Sequence, residues 1–273
     1  MTTLTFADPN PVSPGERTHL ARQPSPTRLA AVITAVLTFC AALTAVGRVL
    51  ASATSFASQA VSAVAGIATM LLASFIVEWL VHGKLMHRRS RLPLLHLAYD
   101  LHHKAHHWTH YPPNAYVQDE VTYVPLVPPR PERACRTPGE TVFAALGQAL
   151  FYASFCIPVV AVAWALTHNG PFVIACAVVG ATFVGLAVHV HDAVHCPGHS
   201  PLERFRWFWA LDRHHYLHHI DTKSNVNFVL PIGDWLLGTW RAVATPTELS
   251  RWPTYAEARA NVLPSCWRRN EET

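Results

Sequence analysis

Charged residues are scarce in this sequence, and lysine is scarcest among them. They make up 14% of the 273 positions, whereas hydrophobic residues make up 51%, an apolar balance for a water-soluble chain. The formal net charge is +4, and the basic residues are scattered without a basic stripe, which disfavours a nucleic-acid surface. The composition therefore favours a membrane protein.

Motifs that would indicate other metal or disulfide chemistry are also missing. The six cysteines are widely separated and form no CxxC pair, so neither a disulfide framework nor a thiolate zinc site is indicated. No histidine is followed by glutamate, which excludes the HExxH motif of zinc proteases.

Long apolar stretches are present, at residues 29–46, 49–77, 141–167 and 171–188. Crossing a hydrocarbon core of about 30 Å takes roughly 20 helical residues. These stretches predict an all-α membrane protein with about four transmembrane helices. Residues 1–28 are rich in Pro, Ser, Thr and Arg without apolar periodicity, and predict a disordered tail.

The basic residues orient this arrangement in the membrane. Arginine and lysine recur in the polar segment 78–140 and again after residue 203, whereas the segments 51–60 and 167–171 contain neither. By the positive-inside rule, both termini and the polar segments face the cytoplasm.

Histidine is over-represented, with 18 residues. Nearly all of them fall in two windows, residues 82–110 and 189–219, and each window begins where a predicted span ends on the cytoplasmic side. On an α-helix, residues spaced i, i+3 and i+4 share a face. Sets with this kind of spacing are His103, His106 and His107; His215, His218 and His219; and the pair His191 and His195. His82 and His87, spaced i and i+5, are about 140° apart on an ideal helix and are expected to straddle a helix end.

Neutral imidazole is the commonest protein ligand for metals. These histidines are too many for one tetrahedral site, and two metal ions with four or five nitrogens each would account for them. Nearby carboxylates could accept hydrogen bonds from the distal ring N–H groups; the candidates are Asp100, Asp192, Asp212 and Asp221. Four more histidines could be ligands, partners of ligands or bystanders: His102, His189, His199 and His214.

Read in order, the spacings HX4H, HX2HH, HX3H and HX2HH resemble the membrane-bound fatty acid hydroxylase and sterol desaturase superfamily. The resemblance covers roughly residues 75–240. It extends to the segment NVNFVLPIGDWLLGTW after the last histidine pair, where Asp234, Gly238 and Thr239 match the family's Asp and Gly-Thr positions.

The resemblance implies a membrane domain over residues 29–240, with four helices under a helical cytosolic cap and a dimetal centre taken to be di-iron. Residues 241–273 would pack on the cap or extend it. The implied ligands are His82, His87, His103, His106, His107, His191, His195, His215, His218 and His219.

The implied chemistry is activation of O2 at two irons, followed by hydrogen abstraction from a C–H bond and hydroxylation or desaturation. The substrate would be a lipid that enters from the bilayer. Electrons would come from a separate ferredoxin or cytochrome/reductase system, because the sequence shows no cytochrome b5-like domain and no GxGxxG or CxxC motif. Zinc could replace iron in isolated protein, since imidazole binds both.

Two other interpretations stay open at this point. The HDAVH box also resembles that of carotenoid hydroxylases in the same superfamily, whose box is commonly one residue longer. A metal transporter is a different class, but it would be expected to place ionisable residues near the bilayer midplane. The interiors of the predicted spans contain none.

Overall fold

A computed structural model describes residues 25–117, 156–196 and 200–260, and all regular structure among them is helical. The expected all-α class is confirmed for these residues. They divide into two compact units. We call residues 25–82 with 156–190 the apolar unit, and residues 83–117 with 191–196 and 200–260 the histidine unit. His199 and the tail residues 1–24 lie outside the described residues.

The apolar unit contains long helices that begin at side-chain caps. Helix α1 is Pro26–Val49, and Ser25 Oγ accepts a hydrogen bond from the backbone N–H of Arg28. Helix α2 is Phe56–Leu80, capped in the same way by Ser55, and it continues as the π-helix Val81–Leu85. The helix Cys156–Thr167, α4 in our numbering, precedes α5, Gly170–His195.

Close helix packing in the apolar unit depends on glycine and small polar groups. A Cβ on Gly66 would lie 2.3 Å from the carbonyl oxygen of Phe172, so only glycine lets α2 approach α5 this closely. The buried Asn169 amide donates to the Gly47 carbonyl and the Ser62 hydroxyl. These bonds tie the start of α5 to α1 and α2 and satisfy polar groups that would otherwise be costly in a bilayer.

Among the described residues, three helices are long and apolar enough to cross a membrane: Pro26–Val49, Phe56–Leu85 and Gly170–His195. Their exposed residues include Val49 at 77%, Phe56 at 87% and Ile174 at 64%, as expected of helices that face lipid. The second helix starts later than the predicted residue 49, because Ser55 caps it and residues 50–55 form the turn before it. Of the expected third span, only Cys156–Thr167 lies within the described residues.

The histidine unit is built from shorter helices. In chain order they are α3 (Pro93–Tyr99), the π-helix Asp100–His110, the 3-10 helices Pro113–Ala115 and Pro201–Arg204, α6 (Arg206–Ile220), α7 (Ile232–Leu237), α8 (Pro246–Leu249) and α9 (Tyr255–Ala260). The end of α5, from His191, also belongs to this unit.

The core of the histidine unit lies beside helix α6. Tyr116, Tyr216 and Leu217 are buried together, and Trp252 and Tyr255 pack against them. The described part of the 241–273 segment therefore packs against residues of α6. This contact places α9 close to the residues around Asp212, which matters for the site.

Candidate metal centre

The first histidine window forms a π-helix over Asp100–His110, whereas its spacing predicts an α-helix. Hydrogen bonds from i to i+5 widen each turn, so residues four and five apart share a face. His102, His106 and His107 are the buried residues of this helix, and His103 is only partly buried. The widened turn thus places His102 where an α-helical turn would place His103.

The second window uses ordinary α-helical spacing. His191 and His195 lie one turn apart at the end of α5, and their ring centroids are 5.0 Å apart. On α6, His215, His218 and His219 are all 0% exposed. Their rings also approach one another, since His215 Nε2 lies 3.1 Å from His219 Nε2 and the rings of His215 and His218 stack with centroids 5.7 Å apart.

Ring nitrogens from both windows meet in compact groups that could hold metal. Within the histidine unit, the first histidine group is His87, His102, His107 and His218; the second histidine group is His106, His191, His195 and His215; and a linking group is His106, His107 and His219. Within each group, one nitrogen per residue lies within 4.8 Å of the others. Since the linking group shares His107 with the first group and His106 with the second, the two groups are neighbours.

Main-chain carbonyls fix which nitrogen of several rings carries the hydrogen. Nδ1–H of His195 donates to the Tyr116 carbonyl at 2.8 Å, and Nδ1–H of His219 donates to the Tyr111 carbonyl at 2.7 Å. His218 makes the same bond to the Ser224 carbonyl at 2.8 Å. A carbonyl oxygen can only accept, so the Nε2 atoms of these neutral rings present lone pairs.

Those lone pairs point at other imidazole nitrogens. His215 Nε2 lies 3.2 Å from His195 Nε2 and 3.1 Å from His219 Nε2. One hydrogen on His215 can serve only one of these two lone pairs. A metal cation would satisfy all three nitrogens, which is the arrangement expected of ligands held ready for an ion.

The separations between nitrogens also suit metal ligands. Two nitrogens bound tetrahedrally at about 2.0–2.1 Å from a zinc ion would lie roughly 3.3 Å apart. The observed Nε2–Nε2 distances are 3.0 Å for His87 with His218 and 3.1 Å for His102 with His107. The donor set is thus close to the size of a metal's inner coordination sphere.

Further buried nitrogens have no hydrogen-bond partner among the described residues: both ring nitrogens of His106, Nδ1 of His107 and Nε2 of His191. Leaving a buried polar atom unsatisfied costs about 1–3 kcal/mol. Several such atoms lie close together here, so the total free-energy cost is large. Metal binding would remove this cost by giving each nitrogen a partner. The residues present therefore fit a dimetal centre.

Burial keeps these rings neutral. It lowers the pKa of His106 and His107 well below the usual value near 6.5, and the neighbouring imidazoles lower it further. The pKa values of His215 and His219 are lowered by the same causes. Neutral imidazole is the form that binds metal.

The carboxylates expected beside the ligands occupy other positions. Asp100 pairs with Lys104 at 2.6 Å and with His96 at 3.2 Å. Asp192 Oδ1 lies 4.0 Å from His191 Nδ1, too far for a hydrogen bond. Asp221 contacts Arg241. The distal N–H groups described above therefore use carbonyl oxygens as acceptors.

Buried Asp212 acts on the site through Tyr116. Its carboxylate accepts hydrogen bonds from the hydroxyls of Tyr116 and Tyr255 and pairs with Arg259 at 2.9 Å. Arg259 also donates to the Val194 carbonyl, and the Tyr116 carbonyl receives His195. Arg259 thus contacts Val194, the residue before His195. Through Asp212 it also helps to hold Tyr116, whose carbonyl accepts the hydrogen bond from His195.

Asp234 organises the loop that follows α6. Its carboxylate accepts the backbone N–H groups of Val226 and Asn227, the Thr239 hydroxyl and His214 Nε2 at 2.9 Å. Gly238 ends α7 in the left-handed region at φ 77°. These bonds hold a loop that supplies the Ser224 carbonyl and places the Phe228 ring 4.6 Å from the His215 ring.

Three of the described histidines named from the sequence belong to none of these groups: His103, His189 and His214. His103 Nδ1 lies 2.9 Å from His87 Nδ1, and its ring stacks on Tyr99. His214 binds Asp234. His82, buried, and His189, exposed, belong to the apolar unit.

The π-helix makes a prediction that separates His102 from His103. The variant His102→Ala should lose one of two bound metal ions, because its Nε2 faces His107 within the first histidine group. His103→Ala should retain both. Elemental analysis of the two purified proteins checks this, and the reverse result would show that the segment binds metal with α-helical spacing.

Scans against known protein-family models, curated proteins and solved structures find no match to this chain. The function of the site is therefore inferred from its side chains.

Proposed function

We propose that this chain is a membrane-bound dimetal oxygenase that hydroxylates or desaturates a lipid with O2 and external electrons. The observation that carries the proposal is the pair of neighbouring histidine groups joined by His106 and His107. A single structural zinc site would need only four ligands. Two adjacent sites with only nitrogen ligands suit a pair of redox-active ions better than they suit one structural zinc ion.

The first histidine group would hold one ion and the second histidine group the other, with His219 beside both. The resemblance noted above also implies His82 as a ligand, whereas the π-helix puts His102 in the place that the resemblance implies for His103. When bound, a pair of iron ions would supply the O2-dependent oxidation of an unactivated C–H bond, for which amino-acid side chains have no suitable group.

The chain's own residues orient the ligands and exclude water. Carbonyls of Tyr111, Tyr116 and Ser224 set the direction of three imidazoles. The ring of Phe228 covers His215, and that of Tyr111 stacks 4.2 Å from His195. A buried site with fixed ligands protects reactive chemistry from side reactions with water.

The apolar helices support a lipid as the substrate. The end of Gly170–His195 carries two members of the second histidine group, so one candidate span leads directly into the site. A reacting chain dissolved in the bilayer could reach such a site without entering water. We infer a cytoplasmic position for the site from the distribution of basic residues.

The proposal is tested by comparing lipids from cells that express the chain and from cells that express a His215→Ala, His218→Ala variant. Mass spectrometry should find a lipid that gains one oxygen, or loses two hydrogens, only with the intact chain. Metal flux into proteoliposomes without O2 or reductant, together with unchanged lipids, would instead identify a transporter.

A further inference from the structure

The segment that follows the second candidate span exposes several leucines. Leu92, Leu94 and Leu97 are 62%, 67% and 52% exposed, and Leu101 is 47% exposed. Positions 94, 97 and 101 are spaced i, i+3 and i+7, as on one helix face. Ala98 and, in the π-helix, His102 are buried. The exposed side of this segment thus carries four leucines, and clustered apolar surface of this kind marks a contact region.

Arginines flank these leucines. Arg88, Arg89 and Arg91 are exposed, and none of them forms an ion pair within 4 Å among the described residues. The acidic group of the segment, Asp100, is engaged by Lys104. Arg89 acts on the same carboxylate from beyond 4 Å, so the loop before α3 carries more positive charge than this one acidic group balances.

A cavity of about 650 Å³ lies between these arginines, lined by Arg89, Ser90, Arg91, Pro93 and His96. His96 fixes its shape, because Nδ1 contacts the Ser90 carbonyl at 3.1 Å and Nε2 contacts Asp100 at 3.2 Å. The Ser90 hydroxyl accepts the Leu92 N–H. Two guanidinium groups line this one cavity, and guanidinium binds phosphate through paired N–H donors.

Chain position determines what this surface meets. The candidate span Phe56–Leu85 ends three residues before Arg88, so the segment leaves the bilayer at its interface with water. Helices with apolar residues on one face and nearby basic residues lie in that interface. Basic residues beside a span are attracted to anionic lipids.

We propose that residues 88–101 form an interfacial site for anionic phospholipid, with the headgroup phosphate in the cavity between Arg89 and Arg91 and the leucines in the acyl region. The leucines favour a lipid over a soluble acidic protein, which would match the charge but leave the apolar face uncovered. The site would anchor the π-helix that carries His102, His106 and His107, with or without metal.

The test is hydrogen–deuterium exchange of the full chain in lipid nanodiscs. Discs of zwitterionic lipid are compared with discs that contain anionic phospholipid, and with zwitterionic discs in inorganic phosphate. Residues 88–101 should exchange more slowly in the anionic discs alone. Equal exchange in both lipids would overturn the proposal. Equal protection by inorganic phosphate would also overturn it and assign a site for the free ion. Protection that needs an acidic soluble protein would overturn it in favour of a protein partner.

Variants link the effect to the cavity. Arg89→Gln with Arg91→Gln should abolish the dependence on anionic lipid, since each basic residue near the surface changes affinity by about fivefold. Arg89→Lys with Arg91→Lys should retain only part of this dependence, because lysine keeps the charge but not the paired N–H donors of guanidinium. The control Lys223→Gln with Arg251→Gln removes the same charge from exposed positions elsewhere and should leave it unchanged; an equal loss there would show a general charge effect and refute the site.

Discussion

Alanine at His218 is expected to remove one of two bound metal ions, and alanine at His215 the other. His218 belongs to the first histidine group and His215 to the second. Each is fully buried on α6, so no solvent-exposed side chain can take its place. Lipid oxidation should be lost in both single variants, and the double variant should bind no metal.

Elemental analysis of the purified variants measures the first effect, and product analysis measures the second. His110→Ala is the matched control, because His110 lies on the π-helix Asp100–His110 but in none of the three groups. It should keep both ions. The variants His218→Asn and His215→Asn, which retain polar side chains, guard against loss of folding. Retention of both ions in the alanine variants would show that these groups are not metal sites.

Stability of the metal-free protein is expected to fall steeply as the pH drops below about 6.5. The folded-state pKa values of His106, His107, His215 and His219 are lowered by burial. The unfolded chain therefore binds more protons than the folded chain in this range, and stability rises with pH. The stability is fully present above the unfolded value near 6.5 and is lost as the pH falls below it.

The size of the effect follows from the number of groups. Each such histidine contributes up to about 1.4 kcal/mol per pH unit, so the four together could reach about 5 kcal/mol per unit. The free energy of unfolding in a fixed detergent, measured between pH 7.5 and 5, tests this. Replacing His106 and His107 with leucine should roughly halve the slope. A stability independent of pH in this range would show that the rings are not held neutral by burial.

Bound metal should shift the acid transition to lower pH, because ions and protons compete for the same lone pairs. The comparison of metal-loaded and metal-free protein thus reports on the ligands rather than on burial alone. A transition at the same pH in both forms would mean that the metal lies elsewhere.

Helix α6 shows where reasoning from sequence works. The spacing of His215, His218 and His219 predicts one helical face, and regular α-helical geometry buries all three. The apolar stretches likewise predicted helices long enough to cross a membrane, because hydropathy over a long run is a strong signal. The first and second helices differ from the predicted spans mainly at their ends, where single side-chain caps decide the boundary.

The π-helix shows where sequence reasoning was insufficient. HHKAHH contains two possible sets that share His106 and His107. The set with spacing i, i+3, i+4 begins at His103, and the set with spacing i, i+4, i+5 begins at His102. The choice depends on backbone hydrogen bonds that the side-chain pattern does not encode. The acceptors for His195, His218 and His219 are also hidden from sequence, since any residue could supply a carbonyl oxygen.

The contact between His214 and Asp234 depends on the fold in the same way. The two residues are 20 positions apart, and the loop that brings them together is held by main-chain bonds to the same carboxylate. The resemblance pointed to Asp234, and in the structure its carboxylate holds this loop by accepting hydrogen bonds from His214 and the loop backbone. Among the carboxylates named from spacing alone, Asp212 is fully buried and acts through Tyr116 and Arg259.

The most direct test of the dimetal centre is the metal content of the full chain after loading with iron under anaerobic conditions, combined with X-ray absorption at the iron edge. The histidine groups predict two ions per chain with nitrogen ligands and no sulfur. One ion or none per folded chain, or a shell that contains sulfur, would contradict the dimetal centre.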